Sequence, residues 1–419
     1  MLTASFEENA LAKKDRFIVG LDVGTTETRA LICEVASDGR LEVVGLGCTE
    51  SKGLRQGVVV RLDEAVHSIK KALEEAELMA GVQAESVYVS LGGKQIKSMN
   101  SQGAIAVLGK NREITKDDVR RVLEAAQAVA MPSDREITHV LRQQFVVDEQ
   151  DGIDDPLGML GTRLEASVHI ITSPVTAAQN IVTAVNRSGA YVKATVLQSL
   201  AAAESTLAHD ERELGVALVN LGSGTSELAI FLRGAVWHTS VIPMGGEHIT
   251  SDLAMGLRTP IPEAEKIKQE QGCAMTSLVT EDHDVEVSRV GSHRNRTVPR
   301  KLLCDIIQPR AEEILTNIRD EIKKTGYEKQ LGSGVVLTGG NSKLAGLLEL
   351  AEQIFEMPVR QGIPEGLNGL NTTINNPAFA TAVGLVRFGN KIWMAKQTGG
   401  KQPSSMTGGA LERIKNFFQ

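Results

Sequence analysis

The sequence predicts an α/β protein of two similar half-domains, with a separate α+β unit inserted into the first. Three observations predict it. Phe17 to Val35, FIVGLDVGTTETRALICEV, is two apolar runs joined by a Gly-Thr-Thr turn, the pattern of a β-hairpin. Val219 to Phe231, VNLGSGTSELAIF, aligns with Leu21 to Cys33 without gaps, and an internal copy implies two related units. Between Ser86 and Thr172, strand-like runs surround a single helical stretch and contain no glycine-rich phosphate turn.

Taken in order, residues 1–16 are polar and expected to be loose. After the first hairpin, Leu41 to Cys48 reads as a strand. Leu62 to Met79 reads as a helix, because Val66, Ile69, Leu73, Ala76 and Met79 recur at helical spacing before Gly81. In the inserted unit Thr115 is placed to cap a helix over Lys116 to Ala130, with Asp117 and Asp118 in its first turn. The unit serves either protein contacts or structure alone. Pro174 to Arg187 is a helix, Lys193 to Leu197 a strand, and Gln198 to His209 an Ala-rich helix suited to close packing between the half-domains. Two further strands end in Gly245-Gly246 and Gly339-Gly340, each followed by a helix, the second capped by Asn341 or Ser342.

The chain has 419 residues and is 42% hydrophobic but 3% aromatic, so its cores must be aliphatic. Its 45 basic and 52 acidic side chains leave a net charge of −7, which argues against nucleic-acid binding. Cys33, Cys48, Cys273 and Cys304 form no C-x-x-C pair; this speaks against structural zinc and disulfides and fits a reducing cytosol. The first residues lack the apolar core of a signal peptide, and no stretch is long and apolar enough to span a bilayer.

A glycine turn aims N–H groups and hydroxyls into one concavity, which suits phosphate oxygens. Gly24, Thr25 and Thr26 form one such turn, and Gly222, Ser223 and Gly224 match them. Two facing turns would clamp one nucleotide. Asp22 is placed to hold a metal-bound water; Asn220 matches it, and Glu227 is set against Glu27. Gln198 either orients an attacking water or caps its helix. Gly245, Gly246 and the helix N-terminus after them would favour a polar ligand, with Glu247 and Lys266 as candidate sugar and base contacts. Arg289 to Lys301, RVGSHRNRTVPRK, is a basic stretch in an acidic chain, either a solvated face or a receiver for an acidic peptide. Lys396 to Gly409 reads as a flexible linker. After it, Leu411, Ile414, Phe417 and Phe418 share one helical face flanked by Arg413 and Lys415. That is the pattern of a helix lying in an anionic membrane interface, or else of a docked terminal helix.

These residues resemble the actin, Hsp70 and sugar-kinase superfamily. GLDVGTTETRALICEV, LRQQFVVDEQDGIDDPLGMLGTRLEASVHIIT, GGEHITSDLA, VEVSRVGSHRNRTVPRKLLCDIIQPRAEEI and VLTGGNSKLAGL narrow the resemblance to the FtsA family of bacterial cell-division proteins. It implies an actin-like (ribonuclease H-like) duplicated fold. Lobe 1 would take residues 17–85, 173–192 and 360–395, with 86–172 inserted; lobe 2 would take 193–242 and 330–359, with 243–329 as its second subdomain. Residues 396–409 and 410–419 would be linker and membrane helix. The resemblance implies ATP with Mg2+, self-association into filaments, binding of the C-terminal peptide of FtsZ, and attachment at the cytoplasmic face of the inner membrane, where later division proteins are recruited. By position, Gly24, Thr25, Thr26, Gly222, Ser223, Gly224 and Thr225 would hold phosphates. Gly245, Gly246, Glu247, Lys266, Gly339, Gly340 and Ser342 would hold the nucleoside. Arg289, Arg294, Arg296, Arg300 and Lys301 would meet FtsZ, and Asp22, Gln198 and Asn220 would serve any hydrolysis. The superfamily has an Asp where this chain has Asn220; an amide lacks the charge that orders magnesium-bound water, so hydrolysis is expected to be slow. A sugar kinase and a pilus-type adaptor of similar fold are the alternatives.

Overall fold

A computed structural model describes residues 16–109, 111–289 and 295–397. The first hairpin is β1 (Phe17–Val23) paired antiparallel with β2 (Glu27–Val35), closed by the Gly24 N–H donating to the Glu27 carbonyl at 3.1 Å. β3 (Leu41–Glu50) extends this meander. A short hairpin of β4 (Leu54–Arg55) and β5 (Val58–Val59) precedes α1 (Leu62–Ala80), which Gly81 ends in the left-handed conformation. β6 (Ser86–Leu91) lies parallel to β1.

The inserted unit comprises β7 (Lys97–Ala106), α2 (Lys116–Gln127), β8 (Arg135–Val147), β9 (Gln150–Ile153) and β10 (Arg163–Pro174), with sheet order β7-β10-β8-β9. Thr115 caps α2 as expected: its Oγ1 accepts from the Asp118 N–H at 3.3 Å while the Asp118 carboxylate accepts the Thr115 N–H at 3.0 Å. The unit has its own core, including Val122, Val140, Phe145, Leu164 and Ile170. The chain returns through α3 (Val175–Arg187) to β11 (Tyr191–Leu197), then α4 (Gln198–Thr206) and α5 (His209–Leu214).

The second lobe repeats the plan of the first. β12 (Val216–Leu221), β13 (Ser226–Leu232) and β14 (Ala235–Ile242) form the meander. α6 (Gly246–Leu257), α7 (Ile261–Gln271), the hairpin of β15 (Asp284–Val287) and β16 (Arg296–Pro299), and α8 (Arg300–Thr325) follow. Then come β17 (Val335–Thr338), α9 (Leu347–Phe355) and β18 (Val359–Gln361). α10 (Asn371–Ile374) and α11 (Ala380–Gln397) close the described chain. The sheet orders are β11-β6-β1-β2-β3 and β14-β13-β12-β17-β18: in each, an antiparallel three-strand meander continues into two parallel strands. The duplication read from two hairpins therefore extends to both whole sheets.

Aliphatic burial holds the layers together. Ile69, Ala72, Ala76, Ile181 and Val185 cover one face of the first sheet, while Leu200, Ala201, Val383, Leu385 and Val386 lie against the other. Fully burying one such Ile or Leu is worth about 1.5–3 kcal/mol.

Several expectations need correction. Ser86–Leu91 belongs to the first sheet, so the inserted unit begins after it and not at residue 86. β11 pairs with β6, which carries the first lobe's sheet to Leu197; β18 pairs with β17, which puts Arg360 and Gln361 in the second sheet. The Gln198–His209 stretch is two helices, broken where Leu207 turns extended and buries its side chain. Asn341 and Ser342 lie in a 3-10 turn over Gly340–Lys343, and the following helix starts only at Leu347. Glu227 is the cross-strand partner of Asn220, so its counterpart on the first hairpin is Arg29, partner of Asp22, and not Glu27.

Candidate functional site

The two glycine turns meet across the cleft between the lobes. A Cβ on Gly224 would lie 2.9 Å from Thr25 Oγ1, a distance no real side chain tolerates. Thr25 is held in turn by the Gly57 N–H at 3.1 Å. Thr26 is exposed, its carbonyl accepting from the Ser51 N–H at 2.8 Å. On the other side Gly222 is held by backbone bonds and by one side-chain amide. The Gly222 N–H donates to the Thr225 carbonyl at 3.0 Å, and its own carbonyl accepts from the Gly246 N–H at 3.0 Å and Asn341 Nδ2 at 3.0 Å. The Glu247 N–H donates to the Ser223 carbonyl at 2.9 Å. The first N–H groups of α6 are thus spent on bracing the second turn, where the sequence suggested that they would be open to a ligand.

Two Gly-Gly turns complete the frame on the second lobe. Gly339, in the left-handed region at φ 86°, sits so close to Asn220 that a Cβ would fall 2.5 Å from Asn220 Oδ1. Gly246 is equally confined by the Asn341 amide. Gly340 is exposed, and Ser342 is buried with its Oγ donating to the Gly339 carbonyl at 2.8 Å, closing the turn. A small apolar recess beside them is lined by Leu221, Ile249, Ala311, Ile314, Leu315 and Leu347.

Beneath the turns lies a pair of buried carboxyl groups, Asp22 and Glu227. Asp22 Oδ1 and Glu227 Oε1 have no hydrogen-bond partner. Burial raises the Asp22 pKa; the Arg29 guanidinium, 4.0 Å away, and a hydrogen bond with Ser90 oppose this. Burial pushes Glu227 up to about 8, against the Ser199 N–H that donates to its Oε2 at 2.8 Å, and the Asp22 charge pushes the same way as burial. Gln198 reaches the same place: its Nε2 donates to Ser90 Oγ at 3.4 Å. A Cβ on Gly92 would fall 2.6 Å from Gln198 Oε1 and 2.8 Å from Glu227 Oε1. The structure therefore groups Asp22, Gln198 and Glu227. Asn220 stands opposite Glu227 on the hairpin. Sequence reasoning missed Glu227 as a chemical candidate. The gapless alignment held the signal, since it sets Glu227 against Arg29.

Lys266 is the candidate base contact. It is exposed on α7, and two residues on Lys268 is buried. Its Nζ donates to the Gly246 carbonyl at 3.2 Å, Thr250 Oγ1 at 3.0 Å and Asn341 Oδ1 at 3.0 Å, and pairs with Glu265 at 2.8 Å. Burial lowers the Lys268 pKa, and Glu265 pulls it back. Two residues, about 200° around the helix axis, separate the solvent side of α7 from its inner side, and composition alone does not say which lysine faces in. Glu247 is half-buried; burial raises its pKa, opposed by His248 and by Arg55 from the other lobe.

The basic stretch is less free than its composition suggests. Arg296 donates to the Leu257 carbonyl at 2.8 Å and Arg300 to the Gln271 carbonyl at 2.9 Å, each closing a helix end of this chain. Arg289 and Lys301 are exposed. Arg294 lies outside the described residues, as do Leu411, Arg413, Ile414, Lys415, Phe417 and Phe418. The four cysteines are free thiols. No helix among the described residues is long and apolar enough to cross a membrane.

Two lobes of like topology, facing glycine turns and a unit inserted into the first lobe define an actin-like protein. Solved structures agree on the fold. The chain superposes on the protein of a PilM-PilN type IV pilus biogenesis complex with a TM-score of 0.62 at 17% identity, over 88% of this chain and 97% of that one. On MreB5 of Spiroplasma citri, solved bound to ADP, the TM-score is 0.54 at 13% identity, over 92% and 99%. The family model for the cell division protein FtsA matches residues 217–384, and that for the SHS2 domain inserted in FtsA matches 93–172. FtsA of Pseudomonas aeruginosa is 44% identical over 415 residues, 98% of this chain and 99% of that protein. FtsA of Escherichia coli is 36% identical over 412 residues, 96% and 98%, and that of Bacillus subtilis 38% over 387 residues, 92% and 86%. The chain belongs to the FtsA family of cell-division proteins.

Proposed function

We propose that this protein is an ATP-binding member of the division apparatus that tethers a polymer of FtsZ to the inner membrane. The observation carrying the nucleotide reading is the approach of Gly224 to Thr25 across the cleft above two buried, unpaired carboxyl oxygens. Burying acids costs free energy unless a ligand or cation completes the site. The residues fit a magnesium nucleotide. Gly24, Thr25, Thr26, Gly222, Ser223, Gly224 and Thr225 would hold phosphates. Gly245, Gly246, Glu247, Gly339, Gly340 and Ser342 would flank the nucleoside, with Lys268 in the role first given to Lys266. Asp22 would hold the cation through water. Magnesium, when bound, supplies positive charge against the phosphates.

This chain's own part in hydrolysis follows from charge. Gln198 is placed to orient a water, and Glu227 to take its proton. Burial holds Glu227 largely protonated near neutral pH, and Asn220 adds no charge. Both features make turnover slow.

Family membership supports a role at the division site. Self-association, FtsZ-peptide binding at Arg289, Arg294 and Lys301, membrane attachment through residues 410–419 and recruitment of later division proteins belong to this proposal. A helix of about ten residues is marginal alone, so attachment depends on several linked copies. Co-sedimentation with anionic liposomes tests the proposal, with and without MgATP and an FtsZ tail peptide. The full chain should pellet and carry the peptide with it. A chain ending at Gly409 should stay soluble and folded; if it pellets equally, the anchor assignment is wrong.

A further inference from the structure

The inserted unit leaves the first lobe but is fastened to the second. The face of its sheet turned away from α2 presents Ser98, Asn100, Gln143 and His169 to β14, the edge strand of the second lobe. Ser98 Oγ donates to the Thr239 carbonyl at 2.6 Å, Asn100 Nδ2 to the Trp237 carbonyl at 3.1 Å, and Gln143 Nε2 to the Val236 carbonyl at 3.2 Å. His169 is 1% exposed and bonds Asn100 Oδ1 at 2.6 Å through one ring nitrogen and Thr239 Oγ1 at 2.9 Å through the other. Side chains of one lobe's insertion thus satisfy the edge carbonyls of the other lobe. Leu141 and Ile171 add apolar contact in the core that also holds Val236.

The other attachment of the unit is its stalk, and the stalk runs through the cleft. β6 ends at Leu91, and Gly92 and Gly93 lead toward β7. Gly92 is packed against Gln198 Oε1 and Glu227 Oε1, and Gly93 against the backbone of Gly57. Arg135 then clamps the two stalk strands together, donating to the Gln95 carbonyl at 3.0 Å and the Thr172 carbonyl at 2.8 Å. Next to this clamp, a few residues beyond the glycines, the unit is bound to β14 through the polar contacts above, in which His169 and Gln143 are buried.

We propose that the inserted unit reports the state of the cleft: pivoting on Gly92–Gly93 and latched to β14, it cannot keep both attachments unchanged when the lobes move. Any ligand that binds the open and closed cleft with different affinity must then bias the latch. The proposal rests on the reading of the cleft as a nucleotide site.

Hydrogen exchange on the full chain, followed by mass spectrometry with saturating MgATP and without it, is the test. Calorimetry of the same samples first establishes occupancy; if no nucleotide binds, the nucleotide reading fails and the latch falls with it. With nucleotide bound, exchange at Lys97–Ala106 and Ala235–Ile242 should change together by about threefold or more, as expected for a subglobal opening. In Asn100→Ala, which loses the hub of the latch, nucleotide should still bind and protect the glycine turns, while β7 and β14 should no longer respond together. Gln143→Ala provides a second variant should the first fail to fold, with thermal melting as the check. Occupied protein in which neither strand responds, or a variant that responds as the wild type does, overturns the proposal.

Discussion

Glu227 stands directly across the second hairpin from Asn220, the place Arg29 takes opposite Asp22 on the first. The two hairpins share a backbone and differ in charge. The first pairs an acid with a base; the second sets an acid against an amide. Asn220→Asp would restore the charge that orders a cation's water. The expected outcome is a rise in phosphate release from a wild-type rate well below about one per second, the low end of ordinary enzymes. A wild-type rate at or above that value would refute the account of Asn220.

The pH dependence of stability should trace to Glu227. Its folded pKa of about 8 is raised above the unfolded value. The folded chain therefore holds a proton that the unfolded chain has already lost between about pH 4.5 and 8, and stability falls as pH rises through that window. Glu227→Gln keeps an acceptor for the Ser199 N–H and cannot ionise. Without nucleotide, the variant should melt a few degrees higher than wild type at pH 8 and no higher at pH 5. Parallel melting curves at both values would exclude the assignment.

Lys268 and Lys266 separate site from surface. Lys268→Ala removes a buried ammonium that ties α6, α7 and the Asn341 turn together, and leaves Glu265 without its partner. Nucleotide affinity should drop at least tenfold, about 1.4 kcal/mol. Lys266→Ala, on the exposed face, should change affinity and stability by less than about 0.5 kcal/mol. Equal effects in calorimetry would return the role to Lys266.

The lysines also mark what a sequence can carry. Hairpins, their duplication and the capped helix at Thr115 were legible because turn chemistry and periodicity are local. Sheet membership was not: Ser86–Leu91 precedes the insertion in the chain, but its partners are β1 and β11, remote in sequence. Helix facing at one residue's resolution was lost as well, hence Lys268. The basic stretch read as one patch because composition cannot show that Arg296 and Arg300 are committed to carbonyls of the same chain. The carboxyl pair was half visible. Asp22 follows from its hairpin, whereas Glu227 was set against Glu27 although the gapless alignment places it at Arg29.

Gly384 tests the packing of α11 against α4. It lies on α11 against α4, and a Cβ there would fall 1.6 Å from the Ala201 carbonyl oxygen and 2.4 Å from its carbon. No rotamer change relieves a clash with backbone, so the helices must separate. Overpacking of this kind costs about 1–3 kcal/mol, and more where backbone must move. The same crossing carries the ion pairs of buried Glu204 with Arg212, at 3.1 Å, and with Lys391, which separation would also loosen. Gly384→Ala should therefore lower the melting temperature by several degrees. α4 leads out of β11 of the first sheet and begins at Gln198, so the shift should also reach the cleft and weaken nucleotide binding, although Gly384 touches no residue of the turns. A variant that melts with wild type would mean the helices cross with room to spare, and the small residues of α4 would then need another explanation.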